Sequence, residues 1–203
     1  YLRLFLDDDV FWLSMKNTLI FALLTGPLSY FLCLVFAWLI NELPVRARNL
    51  FTLVFYAPSI SGALYVIWSF IFSGDAYGIL NSLLMRFGFI AEAIQWQNDP
   101  QYNSIVVITV ILWMSMGAGF LSFVAGFKQL NTSLYEAAAM DGLRNRWQEL
   151  WYITLPMIKP QMMFSAVMSI TSAFNVGTLI TALCGYPTVD YAAHTIMNHL
   201  TDY

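Results

Sequence analysis

Residues 130–160 read LNTSLYEAAAMDGLRNRWQELWYITLPMIKP, and the rest of the chain is organised around this stretch. Ser133, Leu134, Tyr135 and Glu136 form a capping-box pattern, in which a hydroxyl and a carboxylate satisfy free backbone N–H groups at a helix start. Glu136 then sits at the positive end of the helix dipole. Ala137, Ala138 and Ala139 are strong helix formers with almost no side-chain bulk, and Gly142 is a natural C-terminal stop. The spacing predicts a short, stiff helix with a bare face. A second helix is expected from Asn145, an N-cap with Gln148 three residues on. Trp147, Leu150 and Trp151 fall at i, i+3 and i+4, giving an aromatic face with Arg146 and Glu149 off it. Pro156 is expected to end this element, and Pro160 suits the first turn of the next.

On both sides of this stretch the charge disappears. Windows 104–127 and 161–184 hold no Asp, Glu, Lys, Arg or His, and the same is true of 17–40 and 50–72. Each exceeds the roughly 20 residues that a helix needs to cross a bilayer core. Apolar residues make up 59% of the chain and charged residues 10%, against roughly 45–50% and about 25% in a soluble domain. The fold class expected is therefore all-α, a polytopic transmembrane helical bundle with four spans here. The net charge of −3 and the lack of a basic patch give no footing for nucleic acid. Cys33 and Cys184 lie inside apolar windows and read as packing residues, with no disulfide framework or metal site.

The connections set orientation. Arg46 and Arg48 lie between the first two windows, and Lys128, Arg144, Arg146 and Lys159 lie between the last two. Between the second and third, Asp75, Glu92 and Asp99 stand against one Arg86, and Asp7, Asp8 and Asp9 precede the first. The positive-inside rule makes the loops around 46–48 and 128–160 cytoplasmic. The N-terminus, the 73–103 loop and the C-terminal tail then face outward. The chain is expected to be a fragment, with a further helix on each side of it. The aromatic face around Trp147 is expected to pack under the spans, which leaves the Ala-rich helix projecting into the cytoplasm, a form suited to docking in a partner's groove. On helix chemistry alone, an interfacial hairpin is the alternative.

The spans carry more than apolar bulk. Ser115, Gly119, Ser122 and Gly126 recur at +4, +3 and +4, a small-residue stripe that lets another helix approach closely. Ser165, Ser169 and Ser172 form one polar stripe of the fourth span, and Thr171, Asn175 and Thr178 an adjacent one. A membrane-buried Asn amide needs partners. Asn175 either hydrogen-bonds a neighbouring helix or lines a hydrated pathway. The run from Pro58 through Ser59, Ile60 and Ser61 to Gly62 interrupts helical bonding, which is tolerated only against protein or a water-filled cavity. Ser61, Tyr65, Asn175 and Thr178 are the candidates for lining a solute pathway.

Glu136-Ala137-Ala138, Asp141-Gly142 and Leu155-Pro156 resemble the EAA motif of bacterial ATP-binding-cassette importer permeases. That motif has Glu-Ala-Ala, three residues, Gly, about nine residues, then an apolar position and Leu-Pro. The resemblance extends over nearly the whole chain and is to the type I, carbohydrate branch, the maltose- and glycerol-phosphate-type permeases. The lead-in to Asn17-Thr18, the run from Pro58 with Trp68 and Phe72, and Gly78-Ile79-Leu80-Asn81 are similar to theirs. Leu143 departs from it, since many relatives have Ala there. The resemblance implies one multi-pass permease domain over 1–203 in a bacterial plasma or inner membrane, about six helices in the full protein, and a cytoplasmic coupling-helix loop at 128–160. It implies that Glu136, Ala137, Ala138, Asp141, Gly142, Leu155 and Pro156 couple the chain to cytoplasmic ATPase subunits. It further implies a second homologous permease as heterodimer partner and an extracellular solute-binding protein. The chain has no G-x-x-x-x-G-K-[ST] phosphate loop, so ATP belongs to the partner ATPase and no cofactor is expected in this chain.

The function expected is that of a permease subunit of an ATP-driven sugar importer. Import of a non-sugar solute is one alternative, and a non-transporting membrane scaffold is another. An enzyme needs converging ionisable or metal-binding groups, and the four windows have none. His194 and His199, with Asp190 and Asp202, lie in the tail at a spacing that does not give an i, i+4 metal pair.

Overall fold

The computed structural model describes residues 8–60 and 65–202, with the side chain of Asp202 left aside. Among them every regular element is helical. The first helix, α1 (Asp9–Asn41), runs for 33 residues. It is followed by α2 (Val45–Ile60), α3 (Tyr65–Ile71), α4 (Ile79–Arg86), α5 (Pro100–Met114) and α6 (Ala118–Lys128). Then come α7 (Thr132–Met140), α8 (Arg146–Glu149), a π-turn (Leu150–Thr154), α9 (Leu155–Met157), α10 (Lys159–Phe174), α11 (Gly177–Cys184) and α12 (Ile196–His199), with short 3-10 turns at Val189–Tyr191 and Leu200–Asp202.

Two stretches are long and apolar enough to cross a membrane unaided, Asp9–Asn41 and the 29 residues Pro100–Lys128. The number rises to four when α2 with α3, and α10 with α11, each count as one broken span. Among the described residues the four expected spans thus correspond to two stretches that suffice alone and two helix pairs that suffice only when taken together. Three hydroxyls inside α1 are satisfied within the helix. Ser14, Thr18 and Thr25 each donate to the carbonyl four residues back, at 2.7 Å. This suits a segment with no water to turn to.

The residues pack as two units, one drawn from 1–28, 61–114 and 170–203, the other from 29–60 and 115–169. In the first, Val106, Val107 and Val110 of α5 meet Ile180 and Leu183 of α11 and Phe21 of α1. In the second, Cys33 and Ala37 of α1 meet Phe120, Phe123 and Phe127 of α6. Spacings of three and four place each set on one helical face. Lipid is as apolar as these side chains, so close packing holds such helices together, with little from the hydrophobic effect. The outer face of α1, with Leu19, Leu23, Phe31 and Leu39, stays exposed.

The small-residue stripe shows what close packing needs. A Cβ at Gly119 would stand 2.8 Å from Ser165 Oγ, and one at Gly126 would stand 3.1 Å from Gln161 Cγ and 3.2 Å from Ile158 Cγ2. Gly119 and Gly126 therefore let α6 approach α10. Ser115 lies in the break between α5 and α6, where its carbonyl accepts from the Cys33 thiol at 3.8 Å.

Candidate functional site

The short helix expected in the 130–160 stretch forms as α7, with a different start. Its N-cap is Asn131, in extended conformation (φ −78°, ψ 126°), whose Oδ1 accepts from the Ser133 N–H at 3.1 Å. The capping box at Ser133 does not form. Asn caps as well as Ser, and a start two residues earlier moves Glu136 into the second turn, away from the dipole's end. The C-terminus ends as expected. Gly142 adopts φ +96°, and its N–H donates to the Ala139 carbonyl at 3.2 Å while the Leu143 N–H donates to Ala138 at 3.0 Å. This pair of reversed bonds satisfies carbonyls left open at the helix end, and a left-handed residue makes it possible. Glu136, Ala137, Ala139 and Asp141 are exposed and Met140 is 90% exposed, whereas Ala138 is buried.

Behind α7 stands its support. Asn145 caps α8 as expected, with Oδ1 accepting from the Trp147 N–H at 3.2 Å, and Gln148 Oε1 accepts from the Arg144 N–H at 3.3 Å. Pro156 does not end the element. The backbone widens into the π-turn at Leu150–Thr154 and carries on through α9. Proline lacks an N–H and crowds the carbonyl four residues back. The wider turn takes up that mismatch: the Leu155 N–H donates five residues back to Leu150, and Thr154 Oγ1 donates to the Glu149 carbonyl at 3.2 Å. Leu155 is half-buried against the second core, Pro156 is exposed, and Ile158 is buried.

The expected aromatic face divides. Leu150 is buried, but Trp147 is 57% exposed while packing on Trp38, with ring centroids 5.0 Å apart, and Trp151 is exposed. Arg146 joins its own helix to the end of α1. It pairs with Glu149 at 2.8 Å and with Glu42 at 3.5 Å. The Glu149 hydrogen bond, then the charges of Glu42 and Glu149, raise the pKa of this guanidinium above its ordinary value. A cleft of about 370 Å³ opens between these parts, lined by Trp38, Glu42, Arg48, Lys128, Tyr135 and Arg146 among others. Across it the Tyr135 hydroxyl meets Thr154 Oγ1 at 2.8 Å, tying α7 to the π-turn.

Of the pathway candidates, Ser61 lies outside the described residues, as does Gly62. Tyr65 is half-buried on α3, and α3 packs on α11, which carries Thr178 on an exposed position. Asn175 lies in the break between α10 and α11, where the helix bends by 47°. Its N–H donates to the Ser172 carbonyl at 3.1 Å and its side chain is exposed.

Three asparagines organise this unit, and sequence reasoning assigned them no structural role. Asn81 is fully buried. Its amide donates to the carbonyls of Ser73, Asp75 and Ile94, and its Oδ1 accepts from Trp96 Nε1 at 2.7 Å and from the Ile94 N–H at 3.3 Å. Asn198 donates to the Gly177 carbonyl at 3.0 Å and to Thr181 Oγ1 at 2.7 Å. Asn17 donates to the carbonyls of Tyr191 and His194. The tail thus folds back onto α1 and α11. His199 Nε2 meets Asp8 Oδ2 at 2.9 Å, and His194 is buried beside it. The partners of Asn17 lie 174 and 177 residues away in sequence, whereas those of Asn81 and Asn198 lie on neighbouring segments.

Residues 20–202 match the family described as binding-protein-dependent transport system inner membrane component. The lactose transport system permease protein LacF of Rhizobium radiobacter is 31% identical over 175 residues, 85% of this chain and 56% of that protein. The sulfoquinovosyl glycerol transport system permease protein SmoG of Agrobacterium fabrum is 32% identical, over 83% of this chain and 54% of its own length. The chain spans about half the length of the curated relatives it matches. Among solved structures, the fold is similar to a chain of a bacterial alginate ABC transporter in complex with an alginate pentasaccharide-bound periplasmic protein. The TM-score there is 0.83 at 25% identity, covering 98% of this chain and 68% of the other.

Proposed function

Because the chain belongs to the family of binding-protein-dependent transport system inner membrane components, we propose that it is a permease subunit of an ATP-driven sugar importer, coupled through α7 to a separate ATPase. One observation carries the coupling. The helix is stopped at Gly142 by a left-handed turn, is rooted through buried Ala138 and the Tyr135–Thr154 bond, and leaves Glu136, Ala137, Ala139 and Met140 exposed. A small rigid helix with a bare face and a fixed root suits insertion into a groove.

The proposed motif residues then fall into separate roles. Glu136, Ala137 and Asp141 meet the ATPase. Ala138 fits under the helix where a larger side chain would lift it. Gly142 ends the helix. Leu155 and Pro156 shape the support, Leu155 by packing and Pro156 through the π-turn. ATP-driven closure of the ATPases would carry α7 with them, and the Tyr135–Thr154 and Trp38–Trp147 contacts would pass the displacement to the span ends, as rigid-body switching requires. A second, homologous permease would complete the membrane pathway, and a solute-binding protein would deliver the solute. Relatives named for lactose and for sulfoquinovosyl glycerol support a carbohydrate solute. Tyr65, Asn175 and Thr178, on or beside the packed α3 and α11, are proposed to face it, with Ser61 assigned on sequence alone.

The test is uptake of labelled carbohydrate by proteoliposomes holding the full-length chain, its partner permease, the ATPase and the binding protein. ATP-dependent accumulation of at least one sugar is expected. Accumulation of only non-carbohydrate solutes would overturn the sugar assignment, and no solute-stimulated ATP hydrolysis with any solute would favour a scaffold.

A further inference from the structure

The loop that holds α4 presents an apolar face that stands exposed among the described residues. Its orientation is fixed. The Asn81 network anchors one side of α4, and at Gly78 a Cβ would stand 2.5 Å from the Ser73 carbonyl oxygen. With the helix held this way, Leu80, Asn81, Leu84 and Met85 are buried or half-buried in the protein. Ile79, Leu83 and Phe87, at i, i+4 and i+8, point outward. Gly88 turns the chain at φ +75°, and Phe89 joins the same exposed group. Phe87 and Phe89 are 71% and 77% exposed, with ring centroids 6.4 Å apart.

The helix is therefore apolar on both sides, the pattern of a segment covered all round. What covers it is indicated by the few polar groups on the outer face. Ser82 returns its hydroxyl to the Ile79 carbonyl at 3.0 Å, so it offers no free donor. Arg86 is the one charged residue between 79 and 89, and it stands exposed in the last turn. A docking protein would be met by a polar rim around an apolar centre, whereas between 79 and 89 the only polar residues are Asn81, which is buried, Ser82 and Arg86. A cation beside aromatic and aliphatic side chains, with no carboxylate, fits a phospholipid boundary instead. The neighbouring α3, which packs on α4, also exposes Val66, Ile67 and Phe70, so the apolar surface runs on from a span into this loop.

We infer that residues 79–89 lie in the membrane interface as a lipid-seated anchor. Ile79, Leu83, Phe87 and Phe89 enter the boundary between headgroups and acyl chains, and Arg86 reaches the phosphates along its apolar stem. The inference rests on the chain being embedded in a membrane and not on which solute it carries.

The experiment uses the full-length chain assembled with its partner subunits in phosphatidylglycerol-containing liposomes. Spin labels are placed one at a time through Leu83→Cys, Phe87→Cys and, as an aqueous control, Glu92→Cys, an exposed position on the same loop. Collision with oxygen, which concentrates in lipid, is compared with collision with a water-soluble nickel chelate. The expected result is an oxygen-to-nickel ratio at 83 and 87 several-fold above that at 92. Equal ratios at the three positions would overturn the inference in favour of a water-exposed loop. Low collision with both reagents at 83 and 87 would overturn it in favour of protein cover. Normal ATP hydrolysis by the labelled assemblies shows that the variants are folded, so a failure here is separate from a failure of the transport assignment.

Discussion

The hydroxyl of Tyr135 lies 2.8 Å from that of Thr154, joining the exposed helix α7 to the π-turn behind it. Thr154 has a single hydroxyl proton, and it already points at the Glu149 carbonyl, 3.2 Å away. Tyr135 is therefore the donor to Thr154. The bond fixes where α7 stands relative to its support. Tyr135→Phe should remove one hydrogen bond and leave the packing, a loss of about 1 kcal/mol, or about fivefold in an equilibrium constant. Titration of the ATPase subunit onto the variant assembly should show weaker association by that factor, with insertion unchanged.

Gly142 carries a conformational demand and no steric one. Its φ is +96°, and a Cβ there would meet nothing within 4 Å. Gly142→Ala should cost about 1–2 kcal/mol through the left-handed backbone alone. Gly142→Asp and Glu136→Lys should abolish transport and ATPase association while the protein still inserts. Co-purification of the ATPase with both variants at the native level would contradict the assignment of α7.

Gly119 presents the opposite case. A Cβ there would stand 2.8 Å from Ser165 Oγ but 3.6 Å from Ser165 Cα and Cβ. Gly119→Ala should destabilise the α6–α10 contact by about 1–3 kcal/mol, as overpacking does. Ser165→Ala, which removes the crowding oxygen, should restore most of that in the double variant. The melting temperature of the detergent-solubilised assembly measures both steps.

Trp147 and Arg146 both reach from α8 to the end of α1, by different means. The Arg146 side chain is 64% exposed and its Glu42 partner 41%, so Arg146→Ala should cost less than about 1 kcal/mol. The Trp38–Trp147 ring pair should be worth about 0.5–1.5 kcal/mol beyond its area, and Trp147→Ala should also loosen Trp38, which packs on the core that holds Leu150. Solute-stimulated ATP hydrolysis should fall further in Trp147→Ala than in Arg146→Ala. Equal losses would assign the link to charge.

Much of this was legible in the sequence, for identifiable reasons. The spans are legible because charge is excluded from a bilayer core, and four uncharged windows leave little else to build. Gly142 and Asn145 are legible because a left-handed stop and an N-cap depend on the residue itself. The start of α7 was not legible. Asn131 and Ser133 are both good caps, two residues apart, and the Glu at 136 favours the wrong one. The π-turn was missed because Pro156 reads as a stop when the flanking packing of Leu150, Leu155 and Ile158 is unknown. The folded tail was out of reach, since Asn17 finds its partners 174 and 177 residues away. Ser61, Tyr65, Asn175 and Thr178 remain a proposal from residue type and from the contact of α3 with α11.

The most direct test of the central claim is a cross-link from the tip of α7. Met140, 90% exposed, is replaced in Met140→Cys to place a thiol at that tip, and the assembled transporter is treated with a short bifunctional reagent in the presence and absence of ATP, with the assembly that lacks the substitution as control. The expected result is a product joining this chain to the ATPase subunit, with a yield that changes on ATP binding and that Gly142→Asp removes. A Met140→Cys thiol that stays fully open to a water-soluble maleimide in the intact assembly, and never joins the ATPase, would contradict it.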